Sequence, residues 1–409
     1  MRSTEIFGGA CMARSRKALA ARIDVAHLIS AGVLASVCPR ALIDEVLDEN
    51  GKASQRERLL PAPAVVYYVM ALALWREAPT EEVLRVVCEG LQWLGGGGAG
   101  AVQASKAAIS QARSRLGSQV MEQLAGRVLR PIAQPGAPGA WFRGWRVMAL
   151  DGSCMDLADE AANAQAFGYP GGSRQGAFPQ LRMVGLVECG THVISAAAVG
   201  PYRHSEQALA AQVMSDKLEA DMLVLADRNF YGFKLWQLAQ ARGAKLLWRM
   251  KATQKLPVEV ALKDGSYLST VYDSQDRGRR NGQRVRVIEY TLQDAVQSEP
   301  RGYRMLSNIL DPDEAPALEL AALYHERWEI EGVFAELKTR LYGASTVLRS
   351  KTPELVKQEF WGLLMAHFAV RQLMAQAAWP RGLDPDRLSF THAVRVIKRK
   401  LPQAAALPP

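Results

Sequence analysis

Apolar residues recur at helical spacing through residues 23–34, and Pro61 and Pro63 open a second, largely apolar helix reaching about Trp75. Thr80 reads as an N-cap, with Glu81 and Glu82 in the first turn where the helix dipole favours anions. Gly95 to Gly98, with Gly100, form a flexible break. Beyond it Ser105 caps a short helix carrying Lys106, Gln111, Arg113 and Arg115. That helix reads either as the second helix of a helix-turn-helix, able to lie in a DNA groove, or as a basic surface helix. A Pro- and Gly-rich linker follows (Pro131, Pro135, Gly136, Pro138, Gly139).

The period then changes. Residues 146–150 form a short apolar strand ending in Asp151-Gly152, and runs at 182–189 and 192–199 flank Gly190-Thr191 as a hairpin. Residues 206–218 read as helix, 222–226 as a buried strand ending in Asp227, 231–242 as helix and 245–250 as strand. The order strand, strand, strand, helix, strand, helix, strand matches the ribonuclease-H-like fold, an α/β architecture with a mixed sheet. In that topology the first and fourth strands are neighbours, so Asp151 and Asp227 should meet at one edge. Strand-like runs at 258–262, 267–272, 284–291 and 303–310 give a β-rich insertion, with a Gly- and Arg-rich loop at 277–282. Helix resumes near Ala315 and runs through Leu341, and a basic helical tail occupies 353–400. Residues 402–409 are expected to be disordered. The expected units are helical 1–135, catalytic core 145–251, β-rich insertion 252–312, a core helix within 313–350 and a C-terminal helical region 351–409. Several units suit a 409-residue chain.

Composition narrows the function classes. No apolar run approaches the roughly 20 residues of a membrane span, and no secretory leader is read at the N-terminus. Five scattered cysteines (Cys11, Cys38, Cys88, Cys154, Cys189) form no CxxC pair, which suits a reducing cytoplasm and argues against a zinc knuckle. The net charge of +9 suits a polyanionic partner. The excess is local: residues 381–400 carry six basic and two acidic side chains, net +4, and residues 273–286 five and two, net +3.

The chemistry is concentrated in the helix bearing Glu326, Glu329, Glu331 and Glu336. At about 100° per residue, Tyr324, Arg327, Glu331 and Lys338 share an arc of roughly 60°. Ile330, Phe334, Leu337 and Leu341 form an adjacent apolar stripe suited to packing on the sheet. Glu329, Glu336 and Arg340 fall on the opposite, solvated side, and Glu326 lies nearer the apolar stripe. Glu331 is therefore the carboxylate at the border of the core. With Asp151 and Asp227 it makes a trio of oxygen donors suited to hard cations such as Mg²⁺ or Mn²⁺. Two such ions about 3.5–4 Å apart can clamp the attacking and leaving oxygens of a phosphodiester displacement. Arg327 and Lys338 would hold DNA phosphates, and Tyr324 would orient a phosphate or pack on a sugar. Asp156 and Asp159 rival Asp151 but lie past the predicted strand end. His204 and Glu206 could reach the site. Trp328 is read as packing rather than base stacking.

Tyr324-x2-Arg327-x3-Glu331-x6-Lys338 has the spacing of the Y-R-E-K signature of bacterial DDE transposases of the insertion-sequence-four family. Leu225-Ala-Asp227-Arg-Asn-Phe230 resembles that family's second-aspartate motif and Leu150-Asp151-Gly-Ser153 its first. Ala177-Phe178-Pro179, Leu246-Leu-Trp248-Arg249 and Asp264-Gly-Ser-Tyr267 are similar to family text as well. Asn229 departs from it, standing where a small residue is expected. The resemblance spans roughly residues 5–370. It implies cut-and-paste transposition: water attack nicks the transposon end, the freed 3′-hydroxyl attacks the opposite strand as a hairpin, then target DNA. It also implies two Mg²⁺ or Mn²⁺ ions, double-stranded terminal inverted repeats and target DNA as partners, a homodimeric synapse, and a bacterial cytoplasmic, nucleoid-associated enzyme with no membrane. By it the N-terminal helices would bind the repeats; Arg113 and Arg115, on the helix capped by Ser105, are the candidate DNA contacts there. Two alternatives stay open: a DNA-binding regulator without chemistry and a cellular nuclease of the same fold.

Overall fold

A computed structural model describes residues 29–53, 60–92, 104–172, 178–251, 254, 256–292, 301–341 and 347–400. The glycine break at 95–100, Ala177, the start of the first helix and the 402–409 tail lie outside the described residues.

The chain begins with α1 (Ile29–Val37), α2 (Arg40–Glu49), α3 (Ala62–Leu74), α4 (Thr80–Gln92), α5 (Lys106–Leu116) and α6 (Ser118–Val128). Pro61 is the N-cap of α3, where a missing N–H costs nothing, and every residue from Pro63 to Leu74 is buried. Ser105 caps α5 by accepting the Ala108 N–H at 3.3 Å. Gly117, at φ 80°, makes the direct joint to α6.

Next come β1 (Trp141–Phe142), β2 (Trp145–Asp156), α7 (Ala161–Phe167), β3 (Gln180–Glu188), β4 (Ile194–Pro201), α8 (Glu206–Lys217), β5 (Met222–Ala226), α9 (Phe233–Ala241) and β6 (Lys245–Arg249). The insertion supplies β7 (Val260–Ala261), β8 (Tyr267–Val271), β9 (Gln283–Leu292) and β10 (Arg301–Ser307). The helices α10 (Ala317–His325), α11 (Glu329–Ala335), α12 (Pro353–Ala378) and α13 (Phe390–Lys400) complete the described order.

One sheet runs β4-β3-β2-β5-β6-β10-β9-β8-β7, with β1 paired to β2. Strands β2, β5 and β6 are parallel and β3 and β4 antiparallel, the ribonuclease-H-like arrangement expected. The insertion extends this same sheet through β10, which pairs antiparallel with β6.

Alternation divides the core. Val147 and Ala149 of β2, with Leu223 and Leu225 of β5, face the side covered by α10, α11 and α12. Met148 and Leu150, with Met222, Val224 and Ala226, face α8 and α9. The first side continues into the N-terminal helices: α12 packs on α1, α3 and α6. At Gly362 of α12, a Cβ would stand 2.8 Å from the Val69 carbonyl of α3, so that approach requires glycine.

The expected linker is part of this body. Glu188, fully buried, accepts the Ile132 N–H at 3.0 Å, the Ala133 N–H at 3.0 Å and the Thr191 hydroxyl at 2.6 Å, and pairs with Arg146. The first strand is longer than expected. β2 runs on through Asp156, because pairing with β3 continues from Met148↔Glu188 to Asp156↔Gln180. Asp151 thus stands within a strand rather than after one.

Candidate active site

Strand register brings the two aspartates together. The last parallel pairs are Leu150↔Ala226 and Ala226↔Trp248. Asp151, Asp227 and Arg249 each follow by one residue, so they stand side by side across three neighbouring strands, about 4.8 Å apart per strand. Arg249 Nη1 lies 4.0 Å from Asp227 Oδ1, and its guanidinium stacks over Tyr303 at 4.5 Å.

The helices after the insertion supply the third wall. Tyr324, 1% exposed, donates its hydroxyl to the Ala226 carbonyl at 3.5 Å, directly before Asp227. Burial pushes that hydroxyl up to about 12, so it acts only as a neutral donor. Arg327 is buried, with Nη1 3.3 Å from Asp151 Oδ2 and its guanidinium over the Tyr324 ring at 5.6 Å. Glu331 is exposed in the first turn of α11. Lys338 is half-buried, and burial lowers its ammonium pKa against the opposing charges of Cys154 and Asp156.

Electrostatically the aspartates are under-compensated. Burial raises Asp151 from 3.8 to about 6, although the Gly152 N–H and Arg327 favour its charge, and the charges of Asp227 and Glu206 push it up further. Asp227 Oδ1 is buried without a hydrogen-bond partner. A buried carboxylate oxygen without a donor, beside a carboxyl that resists ionisation, fits the demand for a hard cation. Asp151 and Asp227 are suited to hold it; Glu331 is exposed on α11, and its carboxylate is not gathered with theirs into one cluster of ligand atoms.

The rival aspartates are engaged elsewhere: Asp156 accepts from Gln180 at 2.8 Å and Asp159 from Tyr169 at 2.5 Å. Next to the site a cavity of about 570 Å³ is lined by Arg228, Lys234, Lys251, Tyr231 and Tyr272, between the turn after β5 and the loop after β8.

Several expectations for the helical stretch are corrected. Its turns are not uniform: residues 326–328 are 3₁₀ and 336–341 form a π-helix, so a constant 100° step fails across them. Glu336 is not solvated. It is 2% exposed and accepts from His367 at 3.1 Å and Arg371 Nε at 2.9 Å, because α12 covers that face. Glu329 is half-buried and accepts the Gly190 N–H at 2.8 Å. Trp328 does not pack in the core: it is 53% exposed, with Arg327 over its ring at 5.9 Å.

Arg113 is corrected too. It is buried and donates to Gln358 Oε1 at 3.2 Å, Ser350 Oγ at 3.1 Å and the Leu355 carbonyl at 2.9 Å. It therefore anchors α5 to α12 rather than facing a groove, while Arg115 is exposed.

Among the described residues, the set of ligand atoms lying within 4.8 Å of one another is His192, Glu329 and Asp386. His192 Nε2 is 3.4 Å from Glu329 and 3.1 Å from Asp386, and Arg371 donates to its Nδ1 at 2.6 Å. Arg371 also reaches Asp386 at 3.7 Å, so the guanidinium supplies the counter-charge and the group ties α11, α12 and the β3–β4 turn together.

The comparisons with known proteins bear on this geometry. Residues 143–369 match the model of the transposase DDE domain, and residues 28–125 that of the insertion element 4 transposase N-terminal region. The chain belongs to the DDE transposase family. This transposase is 29% identical over 373 residues to the transposase InsG for insertion sequence element IS4 of Escherichia coli (strain K12), covering 88% of this chain and 80% of that one. It is also 27% identical over 237 residues to the putative transposase InsZ of the same organism, covering 56% of this chain and 75% of that one. A piggyBac transposase synaptic complex with hairpin DNA matches at a TM-score of 0.47 and 8% identity, over 90% of this chain and 79% of that one. So slight a likeness carries nothing further.

The insertion-sequence-four resemblance read in the sequence holds, and a cellular nuclease is set aside. As a DDE transposase the protein catalyses DNA cleavage and strand transfer with a divalent metal and acts on DNA. No helix among the described residues is long and apolar enough to cross a membrane. Arg249 was not singled out as a site residue by sequence reasoning. Its signal is register: it follows Trp248 as Asp227 follows Ala226.

Proposed function

We propose that Asp151, Asp227 and Glu331 are the catalytic carboxylates of this transposase, holding two Mg²⁺ or Mn²⁺ ions. The observation that carries the assignment is the in-register pair Asp151 and Asp227 at neighbouring parallel strands, contacted by Arg327 and backed by Tyr324 from the helical stretch that leads into α11, where Glu331 stands. The ions supply Lewis-acid activation of an attacking oxygen and charge for a departing one. Asp151 and Asp227 fix the ions at the sheet edge, and Glu331 closes the site from α11. Arg327 and Lys338 hold DNA phosphates, Tyr324 braces the Asp227 backbone, and Arg115 lies on the α5 surface offered to a repeat. Arg228, Lys234 and Lys251 extend positive charge along the neighbouring cavity toward a DNA strand, and Arg249 adds charge beside Asp227.

The reaction is cut-and-paste transposition at terminal inverted repeats. Water attack nicks the transposon end, the freed 3′-hydroxyl attacks the opposite strand to form a hairpin, and after its resolution that end attacks target DNA. Two ends are held in a homodimeric synapse on the bacterial nucleoid.

The test is strand cleavage by the full-length protein with Mg²⁺ and DNA carrying the inverted repeats that flank its gene. Cleavage at the repeat boundary, abolished in Glu331→Gln with DNA binding intact, is the expected result. Binding without cleavage by either protein, in Mg²⁺ and in Mn²⁺, would replace this reading with that of a DNA-binding regulator that has lost its chemistry.

A further inference from the structure

Glu206 is the first residue of α8, whose N-cap role is already filled by Ser205, accepting the Ala208 N–H at 3.2 Å. Among the described residues its carboxylate has no hydrogen-bond or ion-pair partner. It lies instead against β2, in the space where Gly152 lacks a side chain. A Cβ at Gly152 would stand 2.7 Å from Glu206 Cδ and 2.8 Å from Oε1. Gly152 is not a left-handed residue, so no turn requires glycine there. Glycine inside a strand weakens it and marks the close approach of another group. The group that approaches is a carboxylate, one residue from Asp151, whose own side chain accepts the Gly152 N–H at 2.8 Å. The Arg327 and Arg249 guanidinium groups go to Asp151 and Asp227, and neither pairs with Glu206.

We propose that Glu206 is a fourth acidic residue of the active site, holding the divalent cation together with Asp151 across the gap left by Gly152. This rests on the reading of Asp151 as a metal ligand. The negative charges of Asp151 and Glu206 repel one another, and a shared cation turns that repulsion into binding energy.

The experiment is Mn²⁺ titration of the full-length protein without DNA, following free Mn²⁺ by electron paramagnetic resonance. Thermal melting in chelator and repeat-end binding serve as controls. Glu206→Gln is expected to weaken Mn²⁺ binding about 10- to 100-fold, with melting in chelator no lower than that of the wild type and DNA binding unchanged. Gly152→Ala displaces only the flexible end of Glu206, so it is expected to weaken Mn²⁺ in the wild-type background and add nothing to Glu206→Gln. Asp151→Asn runs beside them. Loss of affinity in Asp151→Asn alone would overturn the role of Glu206 and leave the catalytic trio standing. Unchanged affinity in Asp151→Asn would overturn the trio and this inference with it. Full additivity of Gly152→Ala and Glu206→Gln would also overturn the inference.

Discussion

Arg327 Nη1 stands 3.3 Å from Asp151 Oδ2, joining the helical stretch that bears Glu331 to β2. The contact leaves Asp151 raised to about 6, because burial outweighs Arg327. The folded protein therefore binds this proton more tightly than the unfolded chain does. The resulting stabilisation is complete below about pH 4 and lost as pH rises through about 6, worth at most about 3 kcal/mol. In chelator, stability of the wild type is expected to fall across that window more steeply than that of Asp151→Asn, as read by urea denaturation at pH 4, 5, 6 and 7. Parallel profiles would contradict the burial argument. Arg327→Gln should move the wild-type fall to higher pH.

A cation bound by the folded protein alone stabilises it by mass action, about 2.7 kcal/mol at one hundred times its Kd. Mn²⁺ is expected to raise the melting temperature of the wild type. Asp227→Asn, which removes the charge at the unpartnered Oδ1, is expected to lose most of that rise. Equal shifts in both proteins would place the ion elsewhere, and His192→Ala then tests the cluster with Glu329 and Asp386.

Glu336 links the π-helical turn to His367 and Arg371 of α12 in a buried ion network. Removing Glu336 strands the buried Arg371 charge, so Glu336→Ala should cost about 3–5 kcal/mol in a denaturant titration. Glu336→Leu with Arg371→Met should recover part of that loss, as a double-mutant cycle would measure. A cost under about 1 kcal/mol would mean the network does not hold this helix.

Arg113 and Arg115 separate stability from binding. Arg113→Ala removes three buried hydrogen bonds and is expected to cost about 2–4 kcal/mol. The salt dependence of repeat binding should be unchanged at temperatures where the variant is folded. Arg115→Ala should leave stability alone and, if it meets a phosphate, reduce the magnitude of the salt slope by about one.

Gly362→Ala should destabilise by about 1–3 kcal/mol, since the added methyl meets the Val69 backbone rather than a movable side chain. A silent substitution in thermal melting would show that α3 and α12 can part without penalty.

The sequence by itself determined the order of strands and helices, the two aspartates after apolar β-runs and the Tyr-Arg-Glu-Lys spacing. These are local facts: alternation and helical period are set by neighbours a few residues away. It also located the four insertion strands, though not that they extend the main sheet, because strand partners are non-local. What covers each face was decided only by the tertiary structure. Arg113 and Glu336 look like surface charges until α12 is laid over them, and Trp328 looks like core but stays 53% exposed. The 3₁₀ and π turns shift the helical phase in response to packing, which a fixed period cannot anticipate. The approach of Glu206 to β2 likewise depends on α8 crossing that strand where Gly152 makes room, a relation between segments some 50 residues apart.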